Sequence, residues 1–161
     1  MIRQAQASDA AAIARIYNHY ITHTVITFEE QLVSEADIAQ RIADVAAASL
    51  PWLVMEEAGD VLGYAYAAPW RTRSAYRFSV ETSVYLHHAA LGRGLGSQLY
   101  EALFSALTPC GVHVAIGGIA LPNDESVRLH EKLGMKKVAH FEQVGFKFGQ
   151  WIDVGYWQRV L

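Results

Sequence analysis

The chain's 161 residues fit one domain and suffice to bury a core without cross-links. With 52% hydrophobic and 18% charged residues it is globular rather than disordered, and a net charge of -3 argues against a sequence-independent nucleic-acid binder, which needs a basic face. A single cysteine, Cys110, excludes an intramolecular disulfide; "MIRQAQASDAAAIARIYNHY" has no signal-type apolar core and no uncharged run nears the ~20 residues of a membrane span, so a cytoplasmic protein without membrane partner is expected.

In chain order, "IRQAQ" alternates and predicts a short strand. Ser8 and Asp9 offer an N-cap to an amphipathic helix carrying Ile13, Ile16, Tyr17, Tyr20 and Ile21 on one face. "TVITFEEQLV" is ambiguous between strand and loop. Ser34 caps a second helix with Ile38, Ile42 and Val45 on its apolar face, and Pro51 ends it. "WLVMEEAGDVLGYAYAAPW" predicts a hairpin turning at Gly59-Asp60. "RTRSAYRF" is a polar, basic interruption and "SVETSVYL" the next strand. Gly92, Gly94 and Gly96 follow, then a helix with Leu95, Leu99, Leu103 and Leu107, stopped by Pro109. "VHVAIGGIA" predicts a buried strand. Pro122 and Asn123 open a short helix running to Gly134, and "KVAHFEQV" and "WIDVGYWQRV" close the chain as strands. Without repeats or linkers, one mixed domain over 1–161 is expected.

Strand, glycine loop, helix is how a chain turns backbone N–H groups toward phosphate. The bland alternative is a tight turn. No Gly-Lys-Ser/Thr is present, so a P-loop is excluded; the Gly-x-Gly-x-Gly spacing fits a dinucleotide fingerprint poorly, and kinase motifs are missing. "LGRGLG" resembles the Arg/Gln-x-x-Gly-x-Gly/Ala loop of the GNAT N-acetyltransferases, with Leu91 at the position usually held by Arg or Gln. The resemblance implies that Gly92, Arg93, Gly94, Leu95, Gly96 and Ser97 hold the pyrophosphate of acetyl-CoA, and that Val84, Tyr85 and Leu86 pair with its pantetheine arm as an added strand. Downstream, Asn123, Ser126, His130, Gly134 and Met135 are similar to the family's second block. There Asn123 and Ser126 contact the coenzyme, and His130 replaces the usual Tyr that protonates the leaving thiolate.

"ALPNDESVRLHEKLGM", "VGFKFGQWIDVGYWQ" and "PWRTRSAYRFSVETSVYL" together resemble one branch, the phosphinothricin, methionine sulfoximine and methionine sulfone acetyltransferases, over essentially the whole chain. In that branch a His at position 130 is the rule. The resemblance implies an α+β fold with a mixed, mainly antiparallel central sheet flanked by helices. It also implies a homodimer, built on the aromatic C-terminal segment, and direct transfer to a small amino acid in a ternary complex.

Acetyl transfer needs a base for an amine that is protonated at neutral pH, a donor for the developing oxyanion, and an acceptor held in line. Glu81, acidic in an otherwise uncharged strand, is the candidate base; a solvated outward position is its other reading. His130 either protonates the thiolate or orients the substrate. Arg71 and Arg73 suit an acidic substrate group, since Arg forks onto carboxylate or phosphinate. Phe28, Arg71, Thr72, Arg73, Tyr76, Thr82, Ser83 and Val154 match substrate-pocket positions of the branch. No metal is expected: His19 and His23 lack a third ligand, and His87 and His88, adjacent at a strand end, would face opposite sides. The rivals are acetylation of a protein N-terminus or other amine, and a non-catalytic coenzyme A sensor, which would have no need of Glu81.

Overall fold

The computed structural model describes residues 1–161. Seven strands form one sheet: β1 (Ile2–Gln4), β2 (Trp52–Glu57), β3 (Asp60–Pro69), β4 (Ser79–Leu86), β5 (Val114–Leu121), β6 (Lys136–Lys147) and β7 (Gln150–Val160), in the order β1-β2-β3-β4-β5-β7-β6. Four helices cover it: α1 (Ala10–His23), α2 (Glu35–Ala47), α3 (Leu95–Leu107) and α4 (Asp124–Lys132). Every neighbouring pair is antiparallel except β4 and β5. This is the expected mixed α+β sheet.

Side-chain alternation divides the core between the two faces. On β2, Trp52 and Val54 pack against α1 and α2, whereas Leu53 and Met55 pack against α3. The helices follow their periodicity. Ile13, Ile16, Tyr17, Tyr20 and Ile21 are buried along α1, and Ile38, Ile42 and Val45 along α2. Each such aliphatic side chain contributes about 1.5–3 kcal/mol by leaving water. Ser34 caps α2 by accepting from the Asp37 N–H (3.0 Å), and Asp37 accepts from the Ser34 N–H (2.9 Å).

Several boundaries move. Strand β1 stops at Gln4, and a 3-10 turn, Ala7–Asp9, precedes α1. Asp9 does not cap that helix; its carboxylate is drawn to Arg3 (2.8 Å) and the Gln6 N–H (2.7 Å). The β2–β3 turn lies at Ala58-Gly59, one residue early, with both residues at positive φ. The ambiguous segment after α1 carries no regular structure. The last two strands are longer than their patterns, reaching Lys147 and beginning at Gln150.

What positions the site is a break between β4 and β5. Their ladder covers only Ser79–Glu81 against Val114–Ile116. Beyond it β4 runs on to Leu86 and β5 to Leu121 with no pairing between them. The backbone of β4 from Thr82 onward therefore faces a gap instead of a neighbour.

Candidate active site

Two cavities open along this gap. One, of about 250 Å³, is lined by Phe28, Glu81, Thr82, Ser83, Tyr100, His130, Val154 and Tyr156, among others. At that size it lies below the roughly 300–1,000 Å³ of drug-sized pockets and suits a small metabolite. The other, of about 360 Å³, runs past Leu86 to Gly92, Gly94, Leu95, Gly96 and Ser97 and is walled by Asn123, Arg128 and Lys132 of the α4 region. Ile26, Val84, Tyr85 and Ser126 line both.

The glycine loop is shaped by backbone conformation. Gly92 (φ +76) and Gly94 (φ +73) occupy the left-handed region, which L side chains rarely adopt. The chain then enters α3 at Leu95, so the unpaired N–H groups of its first turn open onto the second cavity. Asn123 caps α4 by accepting from the Ser126 N–H (3.1 Å). Its Oδ1 is thus committed, while its amide hydrogens are free.

Alternation puts Glu81 on the α1/α2 side of β4 and Thr82 on the α3 side. The Glu81 carboxylate has no hydrogen bond or ion pair. Burial raises its pKa above the ordinary carboxylate range, and the Arg71 cation pulls it partly back. Opposite, His130 is 3% exposed and held at both ring nitrogens. Nδ1 donates to the Ser126 carbonyl (2.7 Å), which can only accept, so Nε2 carries the lone pair and accepts from the Tyr100 hydroxyl (3.2 Å). Thr82 Oγ1 donates toward Tyr100 (3.4 Å). Burial lowers the His130 pKa, so the ring is neutral near pH 7. Gly117 of β5 makes room for it: a Cβ there would lie 2.7 Å from Nε2.

Of the residues singled out in sequence, the gap gathers Phe28, Glu81, Thr82, Ser83, Val84, Tyr85, Leu86, Gly92, Gly94, Leu95, Gly96, Ser97, Asn123, Ser126, His130 and Val154. It does not gather Arg71, Thr72, Arg73 and Tyr76, which lie in the exposed stretch after β3. Arg71 comes nearest: its guanidinium stacks on Trp70 (4.7 Å), and Trp70 packs edge-on against Tyr156 of the first cavity. Arg93 is not in the wall either; it is paired with Glu57 (2.9 Å). The cations that are there, Arg128 and Lys132, went unnoticed in sequence. Their i, i+4 spacing on the helix after the second block was the available signal. Tyr100 was also missed: it follows Leu99 on the buried side of α3, and nothing in the pattern separates it from a core residue. His87 and His88 do not face opposite sides: both lie beyond the end of β4, and their rings stack at 4.5 Å.

A sheet split at two parallel strands, with a glycine loop and helix N-terminus at one end of the gap and an isolated carboxylate at the other, is a site able to hold a phosphate-bearing ligand beside a general base, and comparison with known proteins gives its class as an acyltransferase. Residues 2–155 match the family model of the acetyltransferase (GNAT) domain. The chain is 44% identical over 161 residues to phosphinothricin N-acetyltransferase of Streptomyces viridochromogenes, covering 98% of this chain and 86% of that one. It is 42% identical over 163 residues to the L-methionine sulfoximine/L-methionine sulfone acetyltransferase of Salmonella typhimurium, covering 99% and 94%. Among solved structures, an acetyltransferase of Salmonella typhimurium with its cofactor acetyl-CoA superposes with a TM-score of 0.97 at 40% identity, covering 100% of this chain and 93% of that one. The chain belongs to the GNAT acetyltransferase family and is an N-acetyltransferase.

Proposed function

We propose that the protein transfers the acetyl group of acetyl-CoA to the α-amine of a small amino acid analogue, with L-phosphinothricin, L-methionine sulfoximine and L-methionine sulfone as the acceptors to test first. The observation that carries this reading is the meeting of two cavities at Val84, Tyr85 and Ser126, with the unpartnered Glu81 carboxylate in the smaller one.

The larger cavity suits the coenzyme. Backbone N–H groups from Gly92 to Ser97 would hold its phosphates, with Arg128 and Lys132 adding charge and Asn123 a free amide. The unpaired edge at Val84–Leu86 would offer strand-like hydrogen bonds to the pantetheine arm, and a backbone N–H there would serve the oxyanion. When bound, acetyl-CoA supplies an activated thioester carbonyl. Glu81 takes the proton from the acceptor's ammonium, directly or through water, leaving an amine able to attack. Its raised pKa brings it closer to the working pH, which strengthens it as a base.

Direct transfer without an acyl-enzyme is favoured because neither cavity is lined by a cysteine, and neither Ser83 nor Ser126 has a base. His130 Nδ1–H already donates a hydrogen bond to the Ser126 carbonyl. The same bond argues against His130 as the acid: neutral, with that proton engaged, it orients Tyr100 and Thr82 instead. Arg71, whose charge reaches Glu81, would meet the acceptor's acidic group at the mouth, with Thr72, Arg73 and Tyr76 in the same exposed stretch. A homodimer would cover the apolar face of β6 and β7, where Phe141, Val144, Phe146 and Trp151 are each more than half exposed.

The test is thiol release from acetyl-CoA over phosphinothricin, methionine sulfoximine, methionine sulfone, glutamate, methionine and spermidine, beside Glu81→Gln. Turnover of the first three, lost in the variant by about 10²–10⁴-fold, is expected. Coenzyme binding with no turnover of any acceptor would refute the small-substrate assignment. Light scattering of the full chain tests the dimer.

A further inference from the structure

The segment between α1 and α2 has no hydrogen-bonded ladder of its own, yet it supplies Ile26, Thr27 and Phe28 to the wall of the smaller cavity. Such a segment holds a shape only if something holds it. On one side it is tied to the helices: the Tyr17 hydroxyl meets Thr27 Oγ1 (2.7 Å) and the Glu29 carboxylate, and Arg41 forks onto Glu29 (2.6 and 2.9 Å). On the other side it is tied to β6. Lys147 Nζ donates to the carbonyls of Thr24 and Thr27, both at 2.8 Å. The Phe28 ring lies where a side chain on Gly145 would be, since a Cβ at that glycine would stand 2.3 Å from the ring.

Lys147 is an unusual anchor. It is 1% exposed and makes no ion pair; the Phe148 ring lies 5.0 Å from the ammonium, and the Glu30 carboxylate acts on it only from beyond contact. A buried cation with no counter-ion in contact is costly, and an apolar side chain of the same reach would fill the space without that cost. What the apolar chain would lose is the grip on two backbone carbonyls three residues apart, the pair that fixes the turn leading into Phe28.

We infer that Lys147 and Gly145 of β6 are positioning residues for the acceptor: they fasten the Thr24–Phe28 segment and so set the shape of the acceptor cavity. The inference rests on the assignment of that cavity to the acceptor. Thr27 and Phe28 line this cavity and not the coenzyme's, and only Ile26 of the segment touches both, so the acceptor should respond more strongly than the coenzyme. In the full-length enzyme, Lys147→Met should raise the acceptor KM about tenfold and leave the acetyl-CoA KM within about threefold. Lys147→Gln, which keeps two donors, should recover part of the loss, and Gly145→Ala, which displaces the Phe28 ring, should also raise the acceptor KM.

A readout independent of turnover goes with these. The amides of Ile26 and Glu29, bonded to Thr24 Oγ1 (3.1 Å) and Thr27 Oγ1 (3.3 Å), should exchange with solvent at least about tenfold faster in Lys147→Met, while those of α3 stay protected. Unchanged exchange at those amides overturns the clamp, as does an equal rise in both KM values. If no acceptor reacts with the parent enzyme, the functional reading falls and the exchange alone decides the clamp.

Discussion

Gly117→Ala tests the packing at the gap with one methyl group. Its Cβ would stand 2.7 Å from His130 Nε2, against an ordinary contact of 3.4 Å or more, so the ring must retreat by roughly 0.7 Å. The ring borders the smaller cavity, but shifting into it would stretch both of its hydrogen bonds. It is 3% exposed, its Nδ1 is held at 2.7 Å by the Ser126 carbonyl, and Tyr100, itself 1% exposed, lies against the other nitrogen. Overpacking of this kind costs about 1–3 kcal/mol. For a chain of this size each kcal/mol lowers Tm by about 2–4 °C, so a drop of about 2–12 °C is expected. His130→Ala alone also destabilises, because it leaves the Tyr100 hydroxyl and the Ser126 carbonyl without their partner. In the double variant the methyl enters the space the imidazole leaves, and the two costs should fall short of their sum by about 1–2 kcal/mol. Thermal melts of the four proteins measure this. A Gly117→Ala melt within 1 °C of the parent, or strict additivity, would refute the geometry.

Other expectations follow from charge. A carboxyl whose folded pKa is raised withdraws stability as pH rises through that range, so Glu81→Gln should melt no lower than the parent at pH 7 while losing activity; any stabilisation should vanish near pH 4, where both side chains are neutral. Arg71→Ala removes the cation that holds Glu81 down. The acid limb of kcat/KM should move to higher pH, and a limb that stays fixed would separate Arg71 from Glu81. Arg128→Ala with Lys132→Ala should raise the acetyl-CoA KM several-fold and flatten its salt dependence, with the acceptor KM little changed.

The fold was legible because its signals are local. Periodicity located α1 to α3, Pro122, Asn123 and Gly134 bracketed α4, and Ser34 and Asn123 mark helix starts by their capping oxygens. The unpaired length of β4 was implied only by the family resemblance and not by the residues' own pattern, because a strand's hydrophobic pattern records which faces are buried and not where a neighbour leaves. The same limit explains the misplaced cations. Arg93 sits in the motif, but Glu57, reaching from the β2–β3 hairpin 36 positions earlier, takes its guanidinium. Arg128 and Lys132 lie outside the quoted loop and arrive only when α4 folds beside it. Lys147 fell between the two expected strands, and its burial depends on a loop 120 positions away.

The separation of β4 from β5 has a consequence for solubility. An open sheet has two outer rims, here β1 and β6; this one has two more inside, the diverging halves of β4 and β5. Bare strand rims are where foreign chains add on, and the inner pair cannot be blunted with lysine or proline without spoiling the site they enclose. The coenzyme proposed to lie there would seal the inner rim of β4 as well as react on it. Preparations saturated with acetyl-CoA should therefore resist aggregation on warming better than stripped ones, beyond what the shift in melting temperature accounts for.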